Sequence, residues 1–351
     1  MRATVVGVDI GSSAIMIAVA HHRGGLVTVT KLLRMPTPPG AFPVGGDLDP
    51  AALGAAVRDA LLAAKVPKRS VLVASLGGAP VVVERMVVES GSPAEINAQV
   101  QPRALAELPF EPNETMYAYI PLRATIGSGV PVLVVAVKAA AAAAWKSLVA
   151  ALGAPGSLGR LDIHSFALHN ALHLALPGVR GPAMQLHLGE RLCSVILLDD
   201  AGDVLAARDL PRGLATLRAR LTDATGANDT DLDARWNLPR GLAPEQAALE
   251  DWAADLAAEC ALLWRGTGIL GTQRPLYISG GGSLIPDVVS AVADALQSSG
   301  VERIDVLTPL GVSDAALQAP LSPATANAFG LLAVGLALRD DAPAALAKRG
   351  K

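Results

Sequence analysis

The feature that most constrains the fold of this chain is a hairpin that occurs twice. Residues 4–13, TVVGVDIGSS, read as a buried strand over 5–10 that runs into a Gly-Ser-Ser turn. A second apolar run over 15–20 leads through Arg23-Gly24-Gly25 into a third over 26–33. A shift of 178 residues sets 5–11 over 183–189, so that Asp9 falls on His187 and Gly11 on Gly189. With no gap, the second run then falls on 192–198, Gly24 on Gly202 and the third run on 204–210. Two hairpins that agree in length and turn position mark a duplicated unit. A chain so built is expected to form two α/β halves with a cleft between their turns. An aspartate at the end of an apolar strand, beside a turn whose Gly11, Ser12 and Ser13 offer backbone N–H groups and hydroxyls, suits a phosphate and its metal-bound water. One copy alone also reads as an ordinary hairpin with a polar tip.

Length and composition agree with two halves. At 351 residues, 51% of them apolar, the chain has enough hydrophobic side chains for a core in each. Aromatics are only 3%, so those cores rest on Val, Leu and Ala. A net charge of −3 gives no footprint for nucleic acid. Cys193 falls in an expected strand and Cys260 in an expected helix, which reads as two buried reduced thiols and a reducing compartment. Asp9 interrupts the apolar N-terminus, so no signal peptide is expected there. The apolar runs 130–137 and 139–145, separated by Lys138, are too short to span a bilayer, so any membrane role is expected to come through a partner.

Along the chain, Met35-Pro36-Thr37-Pro38-Pro39-Gly40 should end the first sheet, and Asp49-Pro50 should cap a helix through Ala64. A strand over 70–76 ends in Gly77-Gly78. The region 80–137 reads as a small inserted α/β unit: a strand from Pro80, a helix opened by Ser92-Pro93-Ala94-Glu95 that Pro102 should kink or split, then strands over 116–121 and 130–137. A helix over 139–152, a short strand over 159–163 and a helix over 164–176 carry the chain to the second half. That last helix holds His164, His169 and His173; with no carboxylate motif nearby, they read as surface or cap histidines rather than metal ligands. The segment 229–240 is polar and irregular, and Trp252 and Trp264 on a long helix over 243–263 read as core. Strand 275–279 then runs into Gly280-Gly281-Gly282-Ser283 and a helix from about Pro286. Three glycines there would let backbone approach a planar or phosphate group, with a helix start adding N–H groups. A helix rich in small residues follows over 322–338, and a frayed tail over 339–351.

Two phosphate hairpins, a strand-GGG-helix and a terminal small-residue helix resemble the actin-like superfamily of actin, Hsp70 chaperones and sugar kinases. Within it the chain resembles the PilM family of type IV pilus assembly over nearly its whole length. The carrying residues are Val8-Asp9-Ile10-Gly11-Ser12-Ser13, the Pro36 to Gly40 loop, Leu108-Pro109-Phe110 before a strand, Asp162 with Phe166-Ala167-Leu168, Ser279-Gly280-Gly281-Gly282, and Gly335-Leu336-Ala337-Leu338-Arg339. The resemblance implies an actin-like (ribonuclease H-like) two-domain fold. Its first domain would take 1–79 and 138–176, its inserted subdomain 80–137, its second domain 177–320, with 321–338 returning to the first. It also implies ATP or ADP with magnesium in the cleft. The phosphates would lie against Gly11, Ser12, Ser13 and Gly189, with Asp9 at the metal and the nucleoside beside Gly280, Gly281, Gly282 and Ser283. The implied partner is a PilN-like inner-membrane protein whose N-terminal cytoplasmic peptide lies between the insertion and the first sheet, anchored at Leu108, Pro109 and Phe110. That would make this a cytoplasmic structural protein, peripheral at the inner membrane through its partner.

Two departures bear on the chemistry. The second hairpin of such proteins usually carries Asp-Ile-Gly, and here reads His187-Leu188-Gly189; the first usually continues to a lysine, and here has Met16. Of these three charged positions only Asp9 is kept, so weak nucleotide binding and little or no hydrolysis are expected. Two other readings stay open: an ATPase or small-molecule kinase of the same superfamily, and a division or type II secretion platform protein like FtsA. The tail over 340–351 is short and Ala-rich with few large apolar residues, so the amphipathic membrane-targeting helix of FtsA-like proteins is not expected there.

Overall fold

The structure, a computed structural model, describes residues 3–41, 49–68, 70–107, 110–122, 129–151, 159–228, 243–269, 274–318 and 321–339. The irregular segment 229–240, the tail beyond Arg339, and Leu108 and Pro109 lie outside the described residues. In chain order the elements are β1 (Ala3–Ile10), β2 (Ala14–Arg23), β3 (Leu26–Pro36), α1 (Pro50–Ala63), β4 (Val71–Leu76), β5 (Val81–Glu89), α2 (Pro93–Glu107), β6 (Thr115–Pro121), β7 (Gly129–Lys138), α3 (Ala139–Ala151), β8 (Gly159–Ile163) and α4 (His164–Ala175). Then follow β9 (Ala183–Leu188), β10 (Cys193–Leu198), β11 (Val204–Leu210), α5 (Leu214–Thr225), α6 (Ala243–Thr267), β12 (Pro275–Ser279), α7 (Pro286–Ala295), β13 (Gly300–Arg303) and α8 (Pro323–Ala337).

The two copies of the hairpin fold alike. β1, β2 and β3 are antiparallel, as are β9, β10 and β11. Both turns close with the same bond, Gly11 N–H to the Ala14 carbonyl and Gly189 N–H to the Leu192 carbonyl, each 3.0 Å. Each half then adds two parallel strands beside its first. The first sheet runs β3-β2-β1-β4-β8, and the second repeats that order as β11-β10-β9-β12-β13. The insertion continues the second sheet beyond β11 as β5-β7-β6, joined through the single pair Ala207–Val83.

Alternation along the strands sorts side chains between two faces of each sheet. On the first sheet, Val6, Val8, Ile15, Ile17 and Leu33 pack outward on α1 and α3, while Val5, Met16, Ala18 and Leu32 pack inward on α4 and α8. On the second, Leu186, Leu188, Val195 and Leu197 face outward with Trp252 and Trp264 of α6, both buried as expected. The two inner faces share one core with α4 and α8 between them. The close approach of α8 explains its small residues: a Cβ on Gly7 of β1 would lie 1.9 Å from the Ala333 carbonyl oxygen, and one on Gly335 1.9 Å from that of Ala167 on α4. Asp49 caps α1 by accepting from the N–H groups of Ala51 and Ala52, and Ser322 and Thr325 form a reciprocal capping box on α8.

Three expectations are corrected. α2 runs through Pro102 without being split; Pro102 and Ala98, whose carbonyl loses its helical donor, are both on the exposed side, where solvent can reach the freed oxygen. Arg339 is not part of a frayed tail, since its Nε lies 2.6 Å from Oδ2 of the buried Asp162. Burial still raises the Asp162 carboxyl above its ordinary range, against the pull of Arg339. The helix histidines are not on the surface either. His169 and His173 are half-buried and meet edge to face at 4.4 Å, and His173 Nε2 lies 2.8 Å from the Gly202 carbonyl.

Candidate functional site

The register of each hairpin lines up a row of side chains on its inner face. Residues directly opposite across neighbouring strands point to the same side. In the first half Asp9 pairs with Met16 and Met16 with Arg34; in the second His187 pairs with Ser194 and Ser194 with Asp209. An acid, a thioether and a cation therefore oppose an imidazole, a hydroxyl and an acid. His164, the first residue of α4, lies between the rows: its Nδ1 is 3.6 Å from Asp209 Oδ2, and its ring fills the space a side chain on Gly77 would need. Asp209 Oδ2 also accepts from Gly78 N–H at 2.7 Å, which ties the second sheet to the end of β4.

Burial dominates the electrostatics here. It pushes the Asp9 carboxyl up to about 6, with His164 pulling the other way. His187 is pushed down to about 4 by burial and by His164, against Asp209. Its Nδ1 is 3.0 Å from the hydroxyl of the buried Ser279 at the end of β12. Among the described residues no three His, Cys, Asp or Glu side chains gather into a group able to hold a metal ion. Asp9 stands as a lone carboxylate on its side, suited to holding a metal's water shell rather than to forming a protein-only metal cage.

The structure brings Asp9, Gly11, Ser12 and Ser13 together at one turn, and Gly189 at the matching one. The N–H groups of Gly11 and Gly189 are taken by the hairpin turns themselves. Those of Ser12 and Ser13, and their hydroxyls, have no partner among the described residues. The triple glycine has a packing reason beside the one read in the sequence. Gly280 sits at φ 85° with its N–H on the Ala328 carbonyl, and a Cβ there would lie 2.3 Å from the Leu188 carbonyl oxygen. Added Cβ atoms would meet the Phe329 ring at Gly281 and the Leu188 side chain at Gly282. The loop is glycine-rich because β9 and α8 pack against it, and the Ser283 hydroxyl is committed to the Gly280 carbonyl at 2.7 Å.

The insertion carries a second candidate surface. Phe110 is only 9% exposed and packs with Met86, Ile96, Val100, Val132 and Val134 between α2 and the β5-β7-β6 strands, with the Lys138 ammonium 5.6 Å from its ring centre. It is a side chain of the insertion's own core, with little surface left for the peptide contact expected of it. Tyr117 and Tyr119 turn to the same side and hydrogen-bond to Asn97 and the Pro93 carbonyl. The opposite face of β6 therefore carries Met116, Ala118 and Ile120, beside Val137, Val135 and Leu133 of β7. Met116 is 44% exposed, and Val87 of β5, on that same face opposite Pro131, is 43% exposed. β6 is also an edge strand. The Arg85–Asp199 ion pair, at 3.0 Å, holds this sheet to the second half.

Sequence reasoning missed Arg34, His164 and Asp209 in the cleft, and Met116, Ala118 and Ile120 as one face. The signal was the register: counting across each hairpin from Asp9 and His187 reaches Arg34 and Asp209 on the third strands. The second hairpin closes between Leu198 and Val204, earlier than Arg23 and Leu26 close the first, which displaces the third strand by three residues, so the 178-residue alignment alone does not pair Arg34 with Asp209.

No protein-family model matches the chain, and no curated protein matches it by sequence. Among solved structures it is similar to a chain of the PilM-PilN type IV pilus biogenesis complex, with 23% identity over 95% of this chain and 98% of that one at a TM-score of 0.77. It is also similar to the ethanolamine utilization protein EutJ from Carboxydothermus hydrogenoformans, with 15% identity over 88% of each chain at a TM-score of 0.50. Two copies of one sheet order, two hairpin turns facing one cleft and these likenesses together give this chain the actin-like fold.

Proposed function

We propose that the protein is a PilM-like component of a type IV pilus assembly platform, which recruits a PilN-like inner-membrane protein by its N-terminal cytoplasmic peptide. The observation that carries this is the likeness to a chain of the PilM-PilN complex over nearly the full length of both, the insertion included. The domain division stated above and a cytoplasmic place at the inner membrane belong to the same proposal. In its support, among the described residues no helix is long and apolar enough to cross a membrane. The peptide surface is the face of β6 bearing Met116, Ala118 and Ile120. Apolar side chains on an edge strand suit an extended peptide, which gains backbone bonds from the strand and specificity from alternate side chains. A few such anchors carry most of the affinity.

The cleft takes an adenine nucleotide, ATP or ADP, as a ligand rather than as fuel. Ser12 and Ser13 supply free N–H and hydroxyl donors for its phosphates, and Asp9 holds the water shell of a magnesium ion that arrives with them. The site has neither a second acid at His187 nor a lysine at Met16 to neutralise charge in phosphoryl transfer, so turnover is slow. Calorimetric titration of the full chain with the N-terminal peptide of a PilN-type protein from the same genome tests the proposal. Micromolar binding that Met116→Asp weakens at least tenfold supports it. Absence of binding, together with robust ATP turnover lost in Asp9→Ala, would instead make this an enzyme.

A further inference from the structure

We propose that Arg34 is the cation that meets the nucleotide's phosphates, in place of a charge at Met16. The inference rests on the reading of the cleft as a nucleotide site and names the residue there that recognises charge. Arg34 stands two strands from Asp9 in the same inner-face row, with Met16 between them. Met16 is 2% exposed and apolar, so the centre of the row carries no charge. Three residues on, Thr37 straps the end of β3 to the serine turn: its hydroxyl donates to the Gly11 carbonyl at 2.6 Å and its N–H to the Ser13 carbonyl at 3.2 Å. On its other side the Arg34 guanidinium lies 4.8 Å from the centre of the Phe329 ring, and that ring lies against Gly281. Arg34 is thus held between the serine turn and the glycine loop, the two places where the nucleotide's phosphates and nucleoside would sit.

Its hydrogen bonding is incomplete. Arg34 is half-buried, its Nε is fully buried with no acceptor, and among the described residues no carboxylate pairs with it. The Phe329 ring beside the guanidinium interacts with its charge and accepts nothing from Nε–H, which is left without a partner. A half-buried cation in that state is costly unless an anion completes it. A phosphate does so with two parallel bonds that match the fork of a guanidinium, which a lysine at Met16 could not make. Asp9 and Arg34 then divide the work along one row, the acid toward the metal's water shell and the cation toward phosphate oxygen.

Titration of the full chain with ADP and, separately, with adenosine tests this for wild type and Arg34→Gln. A charge-assisted contact to phosphate predicts that Arg34→Gln loses about ten- to a hundredfold in ADP affinity and leaves adenosine affinity unchanged. Equal ADP affinity in wild type and variant overturns the assignment while leaving the nucleotide reading standing. An equal loss for ADP and adenosine also overturns it, since the role of Arg34 would then be to support the base or the Phe329 packing. Wild type that binds neither ligand at millimolar concentration overturns the nucleotide reading and Arg34 with it. Arg34→Met keeps an unbranched stem over Phe329 and is read in the same way if Arg34→Gln melts below the assay temperature.

Discussion

Three half-buried side chains, together with the buried Asp162, shape how this protein responds to pH. His169 is pushed down to about 3 by burial and by His173, and His187 to about 4, so both stay neutral in the fold where an unfolded chain would protonate them near 6.5. Their contribution is present above the unfolded value and is lost as pH falls. Asp9 works the other way: raised to about 6, it holds a proton in the fold that the unfolded chain gives up above about 4, so its term falls as pH rises. Between pH 5 and 6 two imidazoles act against one carboxyl, and each proton is worth about 1.4 kcal/mol per pH unit. Denaturant titrations of the ligand-free protein should therefore show stability rising with pH across that window, by less than the about 1.4 kcal/mol per pH unit of one proton to the extent that Asp162, also raised by burial, keeps its own. His169→Gln should flatten the slope, and Asp9→Asn should steepen it. A slope that neither substitution changes would show that these groups are better solvated than their placement implies. A second prediction concerns His187, which stands where the first half has Asp9. His187→Asp would set a third carboxylate near Asp9 and Asp209, so it should lower the melting temperature without magnesium and recover part of the loss with it. Equal loss in both conditions would count against a cation-binding cleft.

At the scale of elements, the insertion separates what a sequence can say from what it cannot. Its strands and helix were legible from apolar runs, the Ser92 cap and Pro93. Which side of β6 faces the core was not, because Tyr117 and Tyr119 alternate with Met116, Ala118 and Ile120, and both sets are apolar enough to be buried. The hydroxyls decided it: the tyrosines reach Asn97 and the Pro93 carbonyl under α2. Phe110 follows them into that core. Phe110→Ala should cost about 3–5 kcal/mol, the usual range for deleting a buried phenylalanine side chain, with any loss of peptide affinity following the loss of fold. Met116→Asp and Ile120→Asp should leave the melting curve nearly unchanged and still weaken the peptide. The reverse pattern, a stable Phe110→Ala that no longer binds, would return the anchor to Phe110. The glycine loop teaches the same lesson. Its small residues were legible, but the packing of Leu188 and Phe329 that they allow was not, since it joins elements that lie far apart in the chain.

At the scale of the whole molecule, the duplicated hairpin carried most of the architecture into view before any coordinates. The shift that sets Gly11 on Gly189 also sets one turn bond on the other, and each half then builds the same sheet order. The cleft was legible only at its first strands. Arg34 and Asp209 depend on where each hairpin closes, and His164 on the meeting of α4 with both rows, which no local spacing records. Among the described residues the halves are joined by α4 and α8, shared by both inner faces, by Asp209 on Gly78, by the Gln318 N–H on the Leu32 carbonyl and by the Gln185 side-chain amide on the Leu168 carbonyl, while Arg85 on Asp199 holds the insertion. In the proposed function, this assembly presents the inserted sheet to a membrane protein's cytoplasmic peptide. Amide hydrogen exchange of the full chain, with and without the N-terminal peptide of a PilN-type protein, tests it most directly. Slowed exchange is expected in β6 and the neighbouring strands of the insertion, abolished by Met116→Asp. Protection confined to the second half, or none at a peptide concentration that saturates binding, would contradict it.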